Sequence, residues 1–112
     1  MVALTETGEA IRSLNDELRQ QGLGGTTVVT RGVQALGAET VIKIQQAVAR
    51  FDAFDGDNDP YGEHDFGTVQ VNGHRVFFKI DYYDCDLRYH SPDPADPAVT
   101  SRVMTLMLVQ EY

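Results

Sequence analysis

"FGTVQVNGHRVFFKIDYY" (residues 66–83) decides the fold. It is two alternating apolar runs around Asn72-Gly73, the dipeptide that favours a two-residue type I′ hairpin. That turn fixes the register. Val71 then faces His74, Val69 faces Val76, and Gly67 faces Phe78. With Ile80 and Tyr82, these form the expected core face. The other face pairs Gln70 with Arg75, Thr68 with Phe77, Phe66 with Lys79, and His64 with Asp81.

Working outward, residues 5–21 place Ile11, Leu14 and Leu18 at helical spacing and end at Gly22, a natural stop. Thr26 to Thr30 form a β-branched run bounded by glycines, which reads as a strand. "RGVQALG" (31–37) reads as a loop or a single helical turn. Residues 38–52 carry Val41, Ile44, Val48 and Phe51 on one stripe and predict a second helix. Beyond the hairpin, 86–97 is a proline-punctuated loop, and Asp96-Pro97 has the form of an N-cap followed by proline. A helical turn near 97–101 follows. The apolar run from Arg102 to Val109 then reads as a strand buried on both faces. The chain is one domain, residues 1–112, of α+β class. Its expected architecture is two helices packed on one face of a mostly antiparallel four-stranded sheet, in the order α-β-α-β-β-β.

The charge is lopsided. Residues 1–50 hold five acids and five bases, whereas 51–112 hold twelve acids and four bases, so the whole net charge of −8 sits in the second half. Such a field repels nucleic acid and attracts a basic protein surface. No apolar run approaches the roughly 18 residues of a membrane span. The first residues lack the basic start and apolar stretch of a signal peptide. The single cysteine, Cys85, lies between Asp84 and Asp86, which disfavour a reactive thiolate. A reducing cytoplasmic setting is expected.

The densest chemistry is "DGDNDPYGEHDFG" (55–67), with five acids and one histidine. Asp55, Asp57 and Asp59 fit the first three ligand positions of an EF-hand loop. Pro60 then stands where the loop needs glycine, and Phe66 where it needs the bidentate glutamate. These three aspartates are the weak metal candidates, and no cofactor is expected. "DPYG" (59–62) is a type I turn pattern. His64 opposite Asp81, with Glu63 and Asp65 alongside, is the candidate catalytic cluster, since a carboxylate orients an imidazole for general-base work. No nucleophile with an activating partner accompanies it, and no phosphate-binding or hydrolase motif is present. The expected binding surface comprises Asp57, Asp59, Tyr61, Glu63, Asp65, Lys79, Tyr83, Asp84 and Asp86, acids interleaved with tyrosines that serve as interface anchors.

"NDPYGEHDFG" (58–67), "KIDYYD" (79–84) and "SPDPADPAVT" (91–100) resemble a bacterial domain-of-unknown-function family, number 3768, over about Ile11 to Tyr112. The resemblance implies a short stand-alone protein with a mobile-element association. It centres the signature away from Asp55 and Asp57.

Three expectations follow. The first is a non-catalytic protein engaging a basic surface of a partner, in its sharpest form an anti-CRISPR or anti-restriction inhibitor of a nucleic-acid-handling enzyme. The second is a small enzyme or divalent-metal protein built on His64, Asp81 and Glu63. The third is a structural accessory domain that forms a homodimer through its tyrosine face. None requires direct nucleic-acid or membrane contact.

Overall fold

The computed structural model describes residues 6–112. Three helices, α1 (Glu6–Gln21), α2 (Arg31–Gln34) and α3 (Ala38–Arg50), accompany four strands, β1 (Thr26–Val29), β2 (Phe66–Val71), β3 (His74–Tyr83) and β4 (Ser101–Leu108). One sheet contains all four strands in the spatial order β1-β4-β3-β2. The fold is therefore α+β with a mostly antiparallel sheet. Its single parallel pair joins β1 to β4, running from Thr26↔Val103 to Val29↔Leu106.

The hairpin has the expected register, from Val71↔His74 to Phe66↔Lys79. Its turn residues both lie at positive φ, 52° at Asn72 and 82° at Gly73, as a type I′ turn requires. Alternation does the rest. Val69, Val71, Val76, Phe78 and Ile80 are buried on one face, together with Met104, Leu106 and Leu108 of β4. Leu18 of α1, Val33 of α2, and Ile44 and Val48 of α3 join the same cluster. Each fully buried aliphatic or aromatic side chain there contributes about 1.5–3 kcal/mol.

Helix ends follow from local chemistry. Gly22, at φ 72°, closes α1 by donating its N–H to the Leu18 carbonyl at 2.9 Å. Thr30 caps α2, its hydroxyl accepting from the Val33 N–H at 3.4 Å. Asp96 caps a 3-10 turn at Pro97–Val99 in the same manner, with proline in the first turn as expected. A second 3-10 turn, Val109–Glu111, returns Glu111 to the other end of the chain. Its carboxylate accepts from the Thr30 hydroxyl at 2.6 Å, the Gly32 N–H at 3.0 Å and the Leu108 N–H at 2.8 Å. Those bonds, the Thr30 one foremost, hold its pKa below the usual glutamate range.

The C-terminal strand departs from expectation. β4 is not buried on both faces: its residues alternate between buried and half-exposed along its length. Val103, Thr105 and Met107 point away from the helices. The apolar run hid this alternation because the outward positions are also largely apolar.

Candidate functional site

The end of the sheet opposite the Asn72-Gly73 turn gathers the polar residues. The loop before β2 and the loop after β3 both leave from this end, and α1 lies beside them. Two buried polar residues of α1 organise the junction.

Asn15 is fully buried. Its amide donates to the Glu63 carbonyl at 3.0 Å and to the Tyr82 hydroxyl at 2.8 Å. Its own oxygen accepts from Arg102 Nε at 2.6 Å. The Tyr82 hydroxyl in turn donates to Glu63 Oε1 at 2.8 Å. Arg102, 2% exposed, lies over the Tyr82 ring at 5.1 Å and donates to the Pro94 carbonyl at 2.5 Å. Burial lowers the Arg102 pKa from its usual value, and burial also raises that of Tyr82, which keeps the phenol protonated. A buried arginine without such partners would be costly.

Arg19 lies one helical turn further on. It donates to the carbonyls of Val48 at 2.8 Å, Ala49 at 3.3 Å and Phe51 at 2.8 Å, satisfying the orphan end of α3. Its other terminal nitrogen pairs with Asp16 at 2.9 Å. The same Asp16 oxygen accepts from His64 Nδ1 at 2.9 Å. His64 Nε2 faces Asp59 Oδ2 at 3.9 Å, and the ring stacks on Phe54 with centroids 3.9 Å apart.

This overturns the expected His64–Asp81 pair. Regular strand pairing ends at Phe66↔Lys79. Before it, the buried carboxylate of Asp59 accepts the N–H groups of Glu63 at 2.9 Å and His64 at 3.1 Å. That capture turns His64 to φ 57°, off the strand path, and its ring reaches α1 instead. Asp81 pairs along its own strand with Lys79 at 3.3 Å. Among the described residues, neither ring nitrogen of His64 bonds a hydroxyl or thiol; both face carboxylates.

Two of the three aspartates considered as cation ligands, Asp55 and Asp59, are engaged through their carboxylates by the loop itself. Asp55 accepts the N–H groups of Asp57 at 2.9 Å and Asn58 at 3.0 Å. The Asp59 carbonyl closes the expected turn, accepting from Gly62 N–H at 3.1 Å. Among the described residues no group of three or more His, Cys, Asp or Glu side chains is placed to hold a metal ion. Asp65 has an unusual titration. Burial first, then the charges of Glu63, Asp59 and Asp81, raise its pKa to about 6.

The predicted binding residues divide between two places. Asp57, Asp59, Tyr61, Glu63, Asp65, Asp84 and Asp86 belong to the two loops at the polar end. Tyr61 is 78% exposed, and the second loop adds Leu87 at 60% and Tyr89 at 72%. That loop is also internally tied, since Asp84 accepts the Arg88 N–H at 3.0 Å. Lys79 and Tyr83 instead lie on the sheet face away from the helices. Cys85 is exposed and unpaired with any cysteine.

Sequence reasoning missed Asn15, Asp16, Arg19, Arg102 and Glu111. A signal existed for two of them. Asn15 sits four residues after Ile11 and three before Leu18, on the apolar stripe of α1, and Arg19 is one turn on from it.

The segments 58–67, 79–84 and 91–100 meet here. The first brings Asp59, Glu63 and His64, and the second brings Tyr82. The third brings Pro94 to Arg102 and pairs the hydroxyls of Ser91 and Thr100 at 2.7 Å. The family described as "Protein of unknown function (DUF3768)" matches residues 29–111. The chain belongs to this family. The match begins at Val29, the last residue of β1, rather than near Ile11, so α1, with the Asn15, Asp16 and Arg19 side chains that reach the site, lies outside the matched segment. Comparisons with curated proteins and with solved structures find no match. Among the described residues no helix is long and apolar enough to cross a membrane.

Proposed function

We propose that this chain is a small non-catalytic binding protein whose acidic end engages a basic surface on a partner protein. One observation carries the reading. Two acid-rich loops leave the same end of the sheet, are braced by their own carboxylates and by buried polar residues, and present Tyr61 and Tyr89 to solvent. Pre-ordered loops lose little conformational entropy on binding, and exposed tyrosines between acids supply anchors. Residues 51–65 carry six acids and no lysine or arginine. Such a strip complements surfaces built to hold phosphate, so the partner class we infer is a nucleic-acid-handling protein, and the mode is inhibition by occupying its basic surface.

The alternative of a small enzyme draws on the Asp16–His64 pair. It is the weaker reading, because both imidazole nitrogens face carboxylates and one ring face is covered by Phe54.

Immobilised protein should retain partners from a lysate of its host at low salt and release them both to high salt and to added DNA. Asp57→Lys with Asp86→Lys should lose them. A bait that retains nothing at low salt, or a catch indifferent to DNA and to the charge reversals, sinks the proposal.

A further inference from the structure

The face of the sheet away from the helices has a character opposite to that of the rest of the molecule. The registers place Val28, Thr105, Lys79 and Phe66 in one row across all four strands, with Thr26, Val103 and Asp81 in the next. Met107, Phe77 and Thr68 form the row on the other side. Leu18, Val33, Ile44 and Val48 from the three helices all pack on the opposite face, so among the described residues no helix covers this one. Phe77 sits at its centre between Phe66 at 5.0 Å and Tyr112 at 5.5 Å. The charges on this face are Arg75, Lys79 and Asp81, two bases against one acid, on a chain of net charge −8.

That distribution selects an occupant. Two copies of so acidic a chain repel one another in most orientations. The open face is where acids are fewest, where Phe77 and Tyr112 offer aromatic surface, and where Lys79 and Asp81 offer opposite charges 3.3 Å apart. A two-fold axis lying across the strands between Lys79 and Asp81 would set Lys79 of one copy against Asp81 of the other. We propose that this face is the interface of a homodimer formed by stacking two sheets. Four strands spaced ~4.8 Å, averaging seven residues each and rising ~3.3 Å per residue, give a footprint of roughly 440 Å² per copy. An interface of that size falls at the weak end of specific association, so dimerisation should depend on concentration.

This surface is separate from the acidic end, and salt tells the two apart. Salt screens the mutual repulsion of the copies and so tightens the dimer, whereas it weakens acidic-end binding to a basic partner. Sedimentation equilibrium from about 5 μM to about 500 μM, at low and high salt, tests the proposal through mass action. The expected result is concentration-dependent dimerisation that is stronger at high salt. Phe77→Asp should leave a monomer throughout, with circular dichroism confirming the fold. Should Phe77→Asp unfold, Thr105→Lys on the same face serves in its place. Lys79→Asp should weaken the dimer about tenfold, and Lys79→Asp with Asp81→Lys should restore it, the change expected from exchanging a charge pair across an interface. A wild-type chain that stays monomeric at every concentration overturns the proposal and leaves the face to an acidic partner of a different kind. Folded Phe77→Asp or Thr105→Lys protein that still dimerises overturns it as well.

Discussion

The β2–β3 hairpin has two ends that obey different rules. At one end Asn72 and Gly73 form the turn, and their identities alone set its conformation and the register of twelve paired residues. At the other end the strand gives way before His64, because Asp59 takes two backbone N–H groups and Asp16 takes the imidazole. Asp16 is 48 residues away from His64 in the chain. The turn end is written in a dipeptide. The polar end is written in side chains brought together only by the folded helix layer. A register extrapolated from the turn therefore holds along the strands and fails two residues beyond Phe66.

The sharpest way to break this contrast is to remove its organiser. Asn15→Ala strips partners from Arg102, Tyr82 and the Glu63 carbonyl together, leaving a buried guanidinium short of an acceptor. A loss of about 3–5 kcal/mol is expected by denaturant unfolding, the cost typical of a broken buried charged contact. Asp59→Ala is next. It frees the Glu63 and His64 N–H groups and should cost about 2 kcal/mol, comparable to losing a strong helix cap. Amide exchange should then rise in residues 59–65 and stay unchanged at 72–73.

Gly73→Ala tests the local end by itself. A Cβ there meets nothing within 4 Å, so the cost is that of φ 82° for a residue with a side chain, about 1–2 kcal/mol. Combined with Asn15→Ala it should be additive in thermal melts, whereas Asp59→Ala with Asn15→Ala should not be.

The smallest effect has the opposite sign. Asp65 holds its proton to about pH 6 in the folded state, against 3.8 for the free carboxyl. The folded state thus binds more protons across that interval, and stability falls as pH rises through it. The penalty is complete above pH 6 and absent below the free value. Asp65→Asn should stabilise the protein at pH 7.5 by about 1 kcal/mol, a figure discounted for partial exposure, and leave stability at pH 3.5 unchanged. Equal gains at both pH values would mean that the carboxylate is not the source.

The legibility of the molecule follows the same division. The hairpin, the amphipathic stripes of α1 and α3, and the Asp96-Pro97 turn rest on neighbours within a few positions, and each appears where its residues indicate. The half-open β4 was obscured because Val103 and Met107 are as apolar as the core positions beside them. The loop acids were visible as a cluster, but their use as backbone acceptors was not, since a carboxylate bound to its own loop and one bound to a cation look alike in sequence. Asn15 and Arg102 were least legible: a polar residue on an apolar stripe identifies its partner only after folding.

The parallel pairing of β1 with β4 has a kinetic consequence. It commits residues 26–29 to residues 103–106, while Asn15 waits for Arg102 at a separation of 87 residues and Thr30 for Glu111 at 81. During synthesis, residues 15–30 emerge long before any of these contacts exists. The hairpin can form early from its own turn, but closing the sheet requires the last strand. Contacts of such high order slow folding. They also make α1, β1 and β4 arrive in the native state together, so a ribosome-bound chain ending before residue 100 should show a protected hairpin and an unprotected α1 in hydrogen exchange.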